Sequence, residues 1–357
     1  MDSKNNPYGI SEIHYPKIYI PVDADQAIKA GIVREEYRDK IQQSINLDLQ
    51  GMGSGMTSSQ LMSLDIVANS IAQGWNRPCY FAMTVPDNLY LGLNPYLSLT
   101  GLVYQVTPVV NDTQHGGFAV STDIMYDNVV NKFRWGGLDT ATPGSIYLDE
   151  TVNRMVTTTR SAMIDLASAL TNEGTMAKNG EGAVPAGMTP EAYAADRYKK
   201  AITILDLMME KLPTSISPFT VQMGEEVANV YYMLGKACGD NTCVEKSNKL
   251  LEQEIMRYGS YMRFYQSLDA DQYSRLTNAD KFIDQQYLVF MLHDYFRQCG
   301  EAKYKELMGK LNAAGVNTER LQAYQRSYEQ AMQQQAAQAA APAEEESSIS
   351  LEEALGN

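Results

Sequence analysis

The sequence predicts an α+β protein in which a mixed α/β N-terminal unit precedes an all-α helical-hairpin region. Three observations predict it. Short β-branched and aromatic runs alternate with helix start and stop signals before residue 145. From Asp149 onward only helical periodicity is found. The chain has 357 residues, 44% of them hydrophobic and 20% charged, which is globular composition with room for two domains. The expected division is 1–145 for the mixed unit, 146–335 for the helices and 336–357 for an acidic tail.

Residues 17–22 read as a strand, with Asp23 or Asp25 able to start the short helix after it. A helix is expected over 34–41 and a strand over 44–49. The glycine-rich GMGSGMTSS loop ends in good helix caps. Leu61, Leu64, Ile66, Val67 and Ile71 then mark a helix face that stops at Gly74. Residues 78–84 read as a buried strand and 102–106 as a second, with a turn at Asn94-Pro95. Ser121 is positioned to cap a helix running to Phe133, stopped by Trp135-Gly136-Gly137.

Asp149 caps a long helix to about Leu170, and Thr189-Pro190-Glu191 supplies an N-cap, a proline at the first helical position and an acid in the first turn. Further helices are expected near 221–236, 243–266, 270–298, 301–313 and 318–335. Ala201, Leu205, Met208 and Pro213 fit the second helix of a tetratricopeptide repeat. Tyr231, Leu234, Gly235, Ser247 and Leu251 fit a first helix and the start of the next. The spacing is irregular, so the region reads as TPR-like, degenerate helical hairpins. The tail after residue 335 is low in complexity and too polar to bury a core, hence expected to be disordered.

With 29 basic and 43 acidic residues the net charge is −14, which disfavours nucleic acid and anionic lipid as partners. No apolar run approaches the ~20 residues of a membrane span. Met1 to Tyr8 is too polar for a signal peptide, so a free-standing chain would be cytoplasmic. Cys238 and Cys243 bracket a Gly/Asp/Asn turn that could let them meet as a short-loop disulfide; two free thiols beside a helix turn is the equal alternative.

Recognised chemistry is sparse. The glycine-rich loop lacks the lysine of a phosphate-binding loop and the spacing of a dinucleotide fingerprint. The three histidines, His14, His115 and His293, have no partner at metal spacing, and His293 sits in an apolar helical run that favours a core role. No metal or cofactor is expected. Asp123 and Asp127 share a helix face, a spacing compatible with paired-carboxylate chemistry, but a salt-bridged surface with Lys132 and Arg134 explains them more simply. The strongest cluster is aromatic and polar: Trp75, Arg77, Tyr80, Phe81, Tyr90, Tyr96, Tyr104, Tyr126 and Trp135. Such residues suit glycan or peptide recognition, or serve as core plugs.

The runs LMSLDIVANS (61–70), GWNRPCYFA (74–82), YLGL (90–93), GLVYQVTP (101–108), MYDN (125–128), KFRWGG (132–137) and YLDET (147–151) resemble a Bacteroidota family of uncharacterised multi-spanning membrane proteins. That family is similar to protein O-mannosyltransferases of the GT-C type. The resemblance covers residues 15–300 and corresponds to the soluble C-terminal region. The membrane part is absent, and the Asn69–Trp75 step is longer than the family's usual one.

The resemblance implies an extracytoplasmic accessory domain at the periplasmic face of the inner membrane. It would not be catalytic as an isolated chain, because the transferase carboxylate belongs to the missing membrane-spanning part of the same polypeptide. The expected partners are that part and an acceptor protein or glycan. Trp75, Arg77, Tyr104, Asp127, Asn128, Arg134 and Trp135 are the ligand-binding candidates within the matching runs. The alternative is a soluble adaptor that binds a partner peptide through its helices.

Overall fold

The structure, a computed structural model, describes residues 10–12, 17–49, 55–86, 89–111, 119–220, 222–276, 278–319, 321–323, 325–327 and 330. The expected tail beyond 335 and the histidines at 14 and 115 lie outside these residues. The architecture is α+β, with small sheets followed by helices. Contacts divide the chain into two compact units, Met1–Ser247 and Asn248–Asn357.

In the first unit, β1 (Ile10–Glu12) pairs antiparallel with β4 (Gly55–Thr57). β2 (Lys17–Pro21) pairs antiparallel with β3 (Ser44–Asp48), Ile18 opposite Leu47 and Ile20 opposite Ile45. Strict alternation puts these four apolar residues on one face. Between the two strands, α1 (Ala24–Lys29) starts at Asp23, whose carboxylate accepts from the Gln26 amide at 3.1 Å. The expected helix at 34–41 is a 3₁₀ segment, Glu35–Lys40, broken by non-helical torsions at Tyr37.

Helix α2 (Ser58–Ala72) begins with a reciprocal capping box between Thr57 and Gln60. It ends at Gly74 and Trp75, both left-handed at φ 71° and 62°. Left-handed backbone disfavours a residue with a Cβ by about 1–2 kcal/mol. Burial of the indole, 2% exposed, and the Trp75 N–H bond to the Ser70 carbonyl at 2.9 Å hold it there.

The third sheet has four strands: β5 (Tyr80–Ala82), β6 (Leu97–Leu99), β7 (Val103–Val106) and β8 (Ala119–Val120), ordered β5-β7-β6-β8. Only β6 and β8 run parallel. The register places Tyr80, Gln105, Ser98 and Ala119 in one row across the sheet and Phe81, Tyr104, Leu99 and Val120 in the next. Because the pleat alternates, the two rows face opposite sides. On the second side, Tyr90 meets Phe81 and Tyr104 edge-on at 5.5 and 5.9 Å, forming an aromatic core. The buried strand expected over 78–84 is therefore a three-residue edge strand with an outward Tyr80.

Helix α3 (Thr122–Asp127) continues into a π-helical turn, Asn128–Lys132. Ser121 does not cap it, because the Ser121 hydroxyl is 2.7 Å from that of Ser98 instead. Then α4 (Glu150–Lys178), α5 (Pro190–Lys211) and α6 (Met223–Cys238) pack together, each pair in contact. Asp149 and Thr189 cap α4 and α5 as their sequence predicts. Leu166, Leu170, Ala201, Leu205 and Met208 are fully buried, each large side chain contributing roughly 2 kcal/mol.

Two helical glycines set the helix spacing. A Cβ on Gly174 would lie 2.7 Å from the Tyr198 ring, and one on Gly235 would lie 2.9 Å from the Asp240 carbonyl. Helix α7 (Asn241–Ser267) follows after a left-handed Gly239. The division between the two compact units falls inside this helix. The reason is that α3 packs on α4, so the sheet and the first helices share one core.

Arg160 of α4 is fully buried and donates to the carbonyls of Leu212, Ser217 and Pro218 at 2.8, 2.6 and 3.4 Å. Its guanidinium also lies 4.8 Å from the Phe219 ring centroid. These contacts pin the irregular chain between α5 and α6.

The second unit contains the rest of α7, α8 (Ala270–Arg275) and α9 (Asn278–Ala313). The helix expected over 270–298 is interrupted at Leu276, which is extended. Gly300, at φ 79°, breaks α9 near the expected 298/301 boundary. Ile255, Leu288, Leu292 and Leu311 are fully buried here, while His293 faces solvent rather than the core.

Candidate functional site

The sheet face that carries the Tyr80–Gln105–Ser98–Ala119 row holds a polar recess of about 290 Å³. Its lining converges from four places in the sequence. Arg34, Tyr37 and Lys40 come from the 3₁₀ segment and its N-cap, Ser98 from β6, Ser121 and Thr122 from the start of α3, and Glu173 from α4. Asn111 adds an amide, whose NH₂ donates to the Leu97 carbonyl at 2.5 Å.

A charge network supports one wall. Asp123 lies 2.7 Å from Arg197, 2.7 Å from Arg34 and 3.2 Å from Lys200. Burial raises the Asp123 carboxyl pKa, but the Arg197 hydrogen bond and the charges of Arg197, Arg34 and Lys200 outweigh it and hold the group at about 2. Asp123 is therefore a fixed anion at neutral pH. Glu173 differs: burial pushes its carboxyl up, opposed by the Thr122 hydroxyl that donates to it at 2.8 Å and by Arg197. The Tyr193 hydroxyl also donates to Glu173, at 3.4 Å.

Lys40 stands differently from these cations. Its ammonium lies 5.2 Å from the Tyr37 ring centroid and has no carboxylate partner among the described residues. In a chain of net charge −14, an unneutralised lysine beside hydroxyls and an amide offers a local docking point for a polar or anionic group.

The sequence-predicted residues are distributed between core and surface. Trp75 and Tyr104 are buried, Tyr104 on the sheet face opposite the recess. Arg77 and Arg134 are exposed, and Trp135 leans on Phe133 with ring centroids 5.9 Å apart. Asp127 pairs with Lys132 at 2.7 Å, and Asn128 donates to the Thr100 carbonyl at 2.7 Å. Asp123 and Asp127 are thus each committed to cations, as a salt-bridged face requires. Cys238 and Cys243 are free thiols, and the Cys243 thiol donates to Asp240 at 3.7 Å. Among the described residues no group of three or more His, Cys, Asp or Glu could hold a metal ion.

Sequence reasoning did not select Arg34, Lys40, Ser98, Asn111 or Glu173, since each is an ordinary residue in its own segment. One signal was available. Gln105 is a lone polar residue inside an apolar strand, which marks either a buried partner or a binding face.

The first unit is thus an α+β unit with a polar recess on one sheet face and with Asp123 and Asp127 tied to cations. Residues 6–125 match the model of a family described as TMEM260-associated domain 2. The match is consistent with an accessory domain of a TMEM260-like family, and its description names neither mannosyl transfer nor a bacterial group. It spans the three sheets, the 3₁₀ segment and most of the recess. No curated protein and no solved structure matches the chain. Among the described residues, no helix is long and apolar enough to cross a membrane.

Proposed function

We propose that the chain is an extracytoplasmic recognition domain of a TMEM260-like membrane glycosyltransferase of the GT-C type. In this reading it holds an acceptor protein or glycan in the sheet-face recess. Transfer chemistry then belongs to the membrane-spanning part of the same polypeptide. Trp75, Arg77, Tyr104, Asp127, Asn128, Arg134 and Trp135 belong to the domain that supports this surface, with Arg77, Arg134 and Trp135 available to touch a partner.

The observation that carries the reading is the recess itself. Lys40, with no carboxylate partner among the described residues, lines the recess together with hydroxyl and amide groups from separate elements. Meanwhile Asp123 is held ionised by its cations and is unsuited to proton transfer near neutral pH.

The test is acceptor occupancy in cells, measured by glycopeptide mass spectrometry with the full-length protein. Lys40→Glu reverses the rim charge, and Asn111→Leu removes the amide. Each is expected to lower occupancy by about tenfold, the loss of one charged or hydrogen-bonded contact. Normal occupancy in both variants, and in Trp135→Ala with Arg77→Ala, would refute the reading. A soluble 39.7 kDa species in fractionated source cells would favour the adaptor alternative instead.

A further inference from the structure

Beside the recess, on the same sheet face, lies a second depression of about 510 Å³ that shares Gly31 and Ile124 with it. Its floor is β7 at Gln105. Tyr80, Leu102 and Phe133 form apolar and aromatic walls, and Asn128 and Lys132 border it from the π-helical turn.

Gln105 is the anomaly. The residue is only 4% exposed, yet its side-chain amide makes no hydrogen bond to any described residue. The amide atoms themselves are not fully withdrawn from solvent, so their hydrogen-bonding capacity is open to a ligand. Here the amide borders an open depression. Its cross-strand neighbour is Tyr80, so the two side chains rise from the same face side by side. Tyr80 is 51% exposed, unusual for an aromatic ring with an apolar wall next to it.

The charges around the depression are already satisfied. Lys132 pairs with Asp127 at 2.7 Å and donates to the Asn128 Oδ1 at 2.8 Å. The remaining demand is for a neutral ligand that has both an apolar face and closely spaced hydrogen-bonding groups.

We infer that this depression binds a neutral pyranose-type sugar residue. The Tyr80 ring packs on the C–H face of the sugar, and the Gln105 amide donates to one hydroxyl and accepts from its neighbour. This rests on the recognition reading above and names the chemistry of one part of the ligand.

Saturation-transfer NMR on the purified 357-residue chain tests it, with methyl glycosides of the neutral hexoses as probes. Ring-proton enhancements are expected for the unaltered chain. Tyr80→Ala and Gln105→Leu should each weaken binding about tenfold. Tyr80 is half exposed, so its variant keeps the test valid if Gln105→Leu fails to fold. No enhancement with any glycoside overturns the inference, and so does binding that survives both Tyr80→Ala and Gln105→Leu. The recognition reading is judged separately, by acceptor occupancy with Lys40→Glu. A loss there alongside silent glycosides would sink the sugar site alone.

Discussion

Replacing Asp123 with asparagine keeps the shape of the side chain and removes the charge at the centre of the recess wall. Arg197, whose side chain is 6% exposed, then loses its nearest anion, Arg34 loses its 2.7 Å ion pair, and Lys200 keeps its pair with Asp196 at 2.9 Å. The Asp123 carboxyl falls from an ordinary 3.8 to about 2 in the folded protein. A depression of that size corresponds to roughly 2 kcal/mol of stability at neutral pH. Water reaches part of the carboxylate, whose side chain is 27% exposed, so screening reduces the figure to about 1–2 kcal/mol. The sign follows from linkage. A folded-state pKa below the unfolded one adds stability above pH 3.8, and this is lost as pH falls toward 2. Glu173 works in the opposite direction, because its folded pKa is raised and its contribution fades as pH rises through that value. Glu173 is present in both parent and variant, so its pH dependence is common to the two. Urea unfolding followed by tryptophan fluorescence is the assay, since Trp75 and Trp135 both lie in the first unit. The difference between parent and Asp123→Asn should be about 1–2 kcal/mol at pH 7 and fall to about half of that by pH 3. A difference that is absent at pH 7, or unchanged at pH 3, would refute the network as described.

Two further outcomes are expected. Arg160→Leu removes three carbonyl partners and the contact with Phe219, and should lower stability of the first unit by about 3 kcal/mol in the same assay; a loss under ~1 kcal/mol would mean that leucine packing replaces the arginine. Cys243 should react with iodoacetamide far more slowly than a free thiol at pH 8, because burial and then the Asp240 carboxylate push its pKa up to about 12; prompt labelling in the native state would contradict that.

Much of the helical half was legible because its signals are local. Asp149 and Thr189 cap their helices through bonds to amides three residues ahead, and Pro190 needs no donor at its position. Gly300 breaks α9 because it takes a left-handed torsion that side chains resist. The sheet was less legible. Leu97–Leu99 and Ala119–Val120 are three and two residues long, too short to show alternation, and they pair in parallel across more than twenty residues of chain. Ser121 looked like a cap from its neighbours, but its hydroxyl found Ser98, a partner that only the sheet brings near.

The candidate site divides along the same line. Sequence alone determined that the chain is acidic, that its first part is mixed and the rest helical, and that Asp123 and Asp127 occupy one helix face. Only the tertiary structure decided that Asp123 would meet Arg197, seventy-four positions away, and that Lys40, Asn111 and Glu173 would share a recess. It likewise turned Tyr80 outward and Tyr104 inward on neighbouring strands. The physical reason is range. Caps, breaks and periodicity act within about one or two turns of backbone. A binding surface instead depends on strand register and helix docking, which are set by the packing of the whole core.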